Sequence, residues 1–169
     1  IPGFTFNPVS MKKILLLIAS LLVIGFVQAQ SDIEEIQMFQ SLFGAEKKSF
    51  VEQFVKLRSP QKEAFWNLYD QYDAERKALG LVRLDVIRKY AESYATLNNL
   101  QTDELMKDII ALKAKNDKLI LTYYKKIKKG VDSKTAAQFY QLEEYFLSAI
   151  RTAILEEIPL IRQLEGTAK

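Results

Sequence analysis

Apolar side chains spaced three and four positions apart, on a chain almost free of helix breakers, push this polypeptide toward long helices. Pro60 is the only proline between Ser31 and Glu157. Gly44, Gly80 and Gly130 are the only glycines in the same stretch. Spacing by threes and fours lines one face of an α-helix. No segment alternates apolar and polar residues for long, and no Asn-Gly or Asp-Gly pair marks a hairpin. The expected fold is all-α: four main helices in an elongated hairpin, bundle or cradle, preceded by a signal-peptide helix.

The first segment opens at Ser31, whose pairing with Glu34 has the form of a capping box. Its apolar positions are Ile36, Phe39, Phe43, Phe50, Phe54 and Leu57, with Gly44 as a point where it can divide. Ser59 and Pro60 begin the second helix, Ser as N-cap and Pro at the first helical position. That helix is expected to run to about Leu97, with Glu75 and Gly80 favouring a bend or an unwound turn near 75–80. Asn98 and Asn99 read as a turn. The third helix is expected from Thr102, as N-cap, to Lys129, with Gly130 just beyond its end. Its stripe is Leu105, Ile109, Leu112, Asn116, Leu119, Tyr123 and Ile127. The fourth opens at Asp132 or Ser133 and runs to about Glu157, before Pro159.

Cysteine and histidine are both absent from the 169 residues. Disulfides, thiol catalysis, Ser-His-Asp chemistry and histidine or thiolate metal sites are therefore excluded. The paired carboxylates Glu34/Glu35, Glu143/Glu144 and Glu156/Glu157 are adjacent in sequence and so diverge on a helix. No catalytic, metal-binding or cofactor-binding residue is assigned, and the chain is read as a non-enzyme. A formal net charge of +3 gives no argument for nucleic acid.

Met11, Lys12 and Lys13 form a short basic start, followed by an uncharged apolar run from Ile14 to Phe26 and by Val27, Gln28 and Ala29. Small residues at 27 and 29 complete the pattern of a secretory signal peptide cut before Gln30. The apolar run is short for a bilayer span of about 20 residues. The expected organisation is an upstream or spurious extension over 1–10, a signal peptide over 11–29, one helical domain over 30–158 and a tail over 159–169. The expected location is the periplasm, with no stable membrane span after cleavage.

Leu57, Ser59, Pro60, Gln61 and Phe65, continued by Trp66, Tyr69 and Tyr72, resemble the LTxxQ motif of the Spy/CpxP family of periplasmic stress proteins, in the form found in Bacteroidetes. Ser-Pro stands where the family has its Thr-containing cap. A second copy, Thr135, Gln138 and Phe139, opens the last helix, with Lys134 in place of the motif's Leu. In physical terms the motif fixes helix starts: a hydroxyl caps the N-terminus and a Gln reaches back to the cap.

The resemblance implies an ATP-independent chaperone that binds unfolded or partly folded envelope proteins, with homodimerisation possible. The alternative it implies is a regulatory partner of a membrane stress sensor or of an extracytoplasmic sigma/anti-sigma system. A structural helical protein without clients is a third reading. Trp66, Tyr69 and Tyr72 are candidate client contacts, or else core. Lys125, Lys126, Lys128 and Lys129 are candidates for steering acidic partners, or else a solvated helix end that suits the macrodipole.

Overall fold

The computed structural model describes residues 43–157, which form four helices and no strand. Helix α1 covers 43–54 of these residues. Helix α2 is Ser59–Ser93, followed by a 3-10 turn at Tyr94–Thr96. Helix α3 is Asn99–Gly130 and α4 is Ser133–Glu157. The readings made for residues 1–42, signal peptide and Ser31 cap included, and for the tail after Glu157 lie outside the described residues.

Several boundaries differ from the sequence expectation, each for a local reason. Helix α2 runs unbroken through Gly80, and no unwound turn forms at 75–80. One helical glycine costs about 1 kcal/mol, less than the burial of Phe65, Tyr69, Tyr72, Val86 and Tyr90 along the same helix returns. Helix α3 starts three residues before Thr102. Asn98 is its N-cap, accepting the Gln101 N–H at 3.0 Å while Gln101 Oε1 accepts the Asn98 N–H at 3.0 Å. This reciprocal box outcompetes Thr102, whose hydroxyl donates back to the Asn98 carbonyl at 2.9 Å. Gly130 is the last helical residue, with Val131 as the C-cap.

Helix α1 is rotated relative to its expected stripe. Lys47, Val51 and Val55 face inward, at 3%, 1% and 3% exposure, while Phe54 is turned out to 36%. Gly44 lies inside the helix. A Cβ there would stand 3.3 Å from Lys77 Cε, so the glycine permits close approach of α1 to α2.

The helices run antiparallel in sequence order. Tyr72 meets Tyr123 with ring centroids 5.5 Å apart, and Lys89 meets Asp108 at 3.6 Å, so α3 returns along α2. Tyr124 against Tyr140 and Asp117 against Arg151 bring α4 back along α3. At 1.5 Å per residue α2 is about 52 Å long and α4 about 37 Å. The described part of α4 therefore ends beside the middle of α3, and the α2–α3 hairpin continues as a two-helix arm.

The core divides accordingly. The larger cluster joins all four helices through Val51, Phe65, Tyr69, Tyr123, Ile127 and Phe139, each at 1% exposure or less. A small second cluster, Val86, Tyr90 and Leu105 with Leu97 against it, holds the arm. Fully burying one large apolar side chain stabilises a fold by about 1.5–3 kcal/mol, so most of the stability resides in the four-helix half.

Candidate functional site

The residues of the two motif copies come together at one end of the bundle. Gln61 sits at the third position of α2, and its Oε1 accepts the backbone N–H of Arg58, the N-cap, at 3.2 Å. Ser59 and Pro60 occupy the first two helical positions and are exposed. The expected Ser59 cap is thus displaced by one residue, because Gln61 closes the cap from the third helical position onto the Arg58 N–H. Leu57 packs on the edge of the main core, and Phe65 is fully buried in it.

Thr135 is likewise not the cap of α4. Asp132 is: its Oδ1 accepts the Thr135 N–H at 2.7 Å, which holds the Asp132 carboxyl below the usual carboxylate range. Carboxylates cap at least as well as hydroxyls, and Asp132 lies three residues before that N–H, the spacing a cap requires. The Thr135 side chain is buried and Gln138 is half-buried. The second oxygen of Asp132 receives Gln61 Nε2 at 2.5 Å. One amide and one carboxylate therefore fasten the starts of α2 and α4 to each other, a link between residues 71 positions apart. Asp132→Ala should lower stability by about 1–2 kcal/mol. A double-mutant cycle with Gln61→Ala should show a coupling of at least about 0.5 kcal/mol in urea unfolding.

The aromatic run is mostly interior. Tyr69 and Tyr72 are 1% and 2% exposed, which withdraws both as contact residues in this state. Their rings pack edge-on against Phe139 at 6.4 and 5.0 Å. Periodicity could not decide this, since a buried stripe and a docking stripe have the same spacing. Only Trp66 keeps a partly exposed ring, with Lys48 Nζ 5.0 Å from its centroid.

Beside these rings lies a buried polar cluster that the sequence did not reveal. Lys47 Nζ is 2.6 Å from Glu143 Oε2, and both side chains are at most 2% exposed. The Tyr72 hydroxyl donates to the same oxygen at 2.5 Å. Lys47 also lies 5.1 Å from the Tyr72 ring centroid and 5.4 Å from that of Phe146. The Tyr69 hydroxyl has no hydrogen-bond partner among the described residues. Burying a hydroxyl without a bond is unfavourable, so Tyr69→Phe should leave stability unchanged or raise it by about 1 kcal/mol. A loss of that size in thermal unfolding would reveal a bound water serving the hydroxyl instead.

A narrow cleft adjoins this cluster, lined by Arg76, Arg83, Asn116, Glu143, Phe146 and Ile150 among others, with a cavity of about 30 Å³. That is room for about two waters. Arg76 is held by Asp73 at 2.7 Å. Burial, with Arg151 and Arg76 nearby, lowers the Arg83 pKa to about 10. Asn116, buried in the α3 stripe, donates to the Leu112 carbonyl at 2.8 Å, and Glu75 accepts the Tyr123 hydroxyl at 2.6 Å. Among the described residues no group of three or more Asp and Glu converges to hold a metal ion.

No family model, curated protein or solved structure matches the chain.

Exposed surface of two kinds remains. Lys125, Lys126, Lys128 and Lys129 all reach solvent at the C-terminal end of α3, with Lys126 Nζ 4.2 Å from the Tyr123 ring centroid. On the arm, Met106, Ile109 and Ile110 are exposed, Ile110 to 62%. Their spacing makes them neighbours on one face of α3. Ile109 was expected inside the stripe. It is left outside because α2 offers the second core only Val86 and Tyr90 at this level, and α4 does not extend over it within the described residues. No helix among the described residues is long and apolar enough to cross a membrane.

Proposed function

We propose that this protein is an ATP-independent, chaperone-like binder of unfolded polypeptide segments in the cell envelope, similar in role to the Spy/CpxP family. The observation that carries the reading is the aliphatic row Met106, Ile109 and Ile110, exposed on a lightly packed two-helix arm. A client segment would lay apolar side chains along this row, and the charged residues beside it, Lys107, Asp108 and Lys113, would keep the arm hydrated between encounters. Contacts of this kind are weak and sequence-tolerant, as promiscuous binding requires. Support for the family comes from the motif residues Leu57, Gln61 and Phe65, with Thr135 and Gln138 in the second copy.

The test is suppression of aggregation of a denatured client. Near-stoichiometric protein should suppress it, and the Ile109→Asp/Ile110→Asp variant should do so several-fold less well. Because both residues are exposed, that variant should unfold within about 0.5 kcal/mol per site of the parent. No suppression at several-fold excess would remove the proposal. Capture of a single folded sensor domain from envelope extract, without such suppression, would replace it with a regulatory role.

A further inference from the structure

We propose that the end of the bundle opposite the arm is a docking face for a bilayer surface rich in anionic phospholipid headgroups. The fold gathers cationic side chains there from three helices and a connection. Lys125, Lys126, Lys128 and Lys129 finish α3. Lys56 and Arg58 lie in the connection before α2 and at its N-cap, and Lys62 is in the first turn of α2. Lys134 is the second residue of α4. The Gln61–Asp132 bond and the approach of Leu68 to Gly130, 3.6 Å from where a Cβ would stand, bring these termini together.

All eight are exposed, and none forms an ion pair among the described residues. The acidic residues of the same end are Glu52, Glu63 and Asp132, and Asp132 is already engaged as the α4 cap. Elsewhere charges are matched: residues 70–117 hold nine acidic and eight basic side chains. The excess positive charge is therefore a property of one end.

The composition of that end selects the partner. Seven of the eight cations are lysines. Lysine is a hydrated point charge without the planar fork of arginine that reads phosphates and bases geometrically. The eight are spread over the ends of adjacent helices, each about 10 Å across, and so present a broad face instead of a groove. A planar, laterally mobile layer of negative headgroups matches such a face, with each lysine near it contributing about 1 kcal/mol. Seated end-on, the molecule would project its arm away from the bilayer, which leaves the aliphatic row accessible. The inference does not depend on client binding.

The experiment is co-sedimentation of the protein, as the cell produces it, with vesicles of phosphatidylcholine alone or with about a third phosphatidylglycerol. Binding should be stronger on the anionic vesicles, and that excess should vanish at about 1 M salt, where the Debye length is about 3 Å. Neutralising four lysines as Lys125→Gln, Lys126→Gln, Lys128→Gln and Lys129→Gln should cut the excess at least about 100-fold, with helicity by circular dichroism unchanged. Neutralising Lys107, Lys113 and Lys115 on the arm in the same way should leave it unaltered. Equal binding to both vesicles, an excess that survives the four substitutions in a folded variant, or binding to polyglutamate without binding to anionic vesicles would each overturn the proposal. Should the four-site variant fail to fold, the salt dependence and vesicle comparison of the parent decide it.

Discussion

Lys47→Met should lower the unfolding free energy by about 3–5 kcal/mol, the usual cost of stranding one member of a buried ion pair. Lys47 reaches from α1 into the main core, and its loss leaves Glu143 with only the Tyr72 hydroxyl. Replacing both charges, as Lys47→Met with Glu143→Leu, should recover most of that loss, because a well-packed apolar pair avoids both desolvation penalties. Denaturant unfolding of the three variants measures this. A single variant as stable as the parent would show that α1 is not seated as described.

The same residue predicts a pH dependence. Burial, opposed by Glu143, lowers the Lys47 pKa from 10.5 to about 8. Between those values the unfolded chain binds more protons than the folded one, so stability should rise as the pH is raised from about 8 toward 10, by as much as about 3 kcal/mol. Tyr69 and Tyr72 act in the opposite sense. Burial, and then Glu143, raise both phenols well above 10.0. Unfolded tyrosines ionise near 10 while these two keep their protons, so stability should fall as pH rises beyond that value. The expected profile has its maximum between about pH 9 and 10. Lys47→Met should flatten the rising limb and leave the falling one.

Phe139→Ala should cost about 3–5 kcal/mol and lower the midpoint of thermal unfolding by at least 10 °C or so. Phe139 is 1% exposed and receives Tyr69 and Tyr72 edge-on, so its removal opens a cavity where α2 and α4 meet. Its neighbour Tyr140 is 39% exposed and touches Tyr124 alone among the ring pairs of the described residues. Tyr140→Ala should cost about 1 kcal/mol. Equal losses at the two positions would mean that the inward face of α4 is misassigned.

Much of this architecture could be read along the chain. Leu105, Leu112, Leu119, Tyr123 and Ile127 were expected on one face of the third helix and are buried there. Phe139, Leu142 and Phe146 hold the same relation in the fourth. The starts of α2, α3 and α4 were legible to within about four residues, because caps are local and need only a polar side chain at the right offset. The choice among competing caps was not legible. Arg58 and Asn98 displaced Ser59 and Thr102 through their fit to Gln61 and Gln101, while Asp132, one of the two residues at which the fourth helix was expected to open, caps it ahead of Thr135. The candidate surface was the least legible part. The spacing that marked Tyr69 and Tyr72 is the same whether a stripe meets a core or a partner, and the exposed row on the arm appears only once the described part of α4 is seen not to cover it.

Repeating apolar positions and scarce breakers sufficed to set four helices, their order and their approximate ends, because those depend on neighbours a few residues away. Which face of α1 turns inward was decided elsewhere. A lysine reads as a solvated position until a carboxylate 96 residues distant waits in the core to receive it. Only the assembled bundle brings Lys47 to Glu143, and the enclosed attraction between them, aided by Tyr72 and the surrounding rings, holds α1 with Val51 and Val55 inside and Phe54 out.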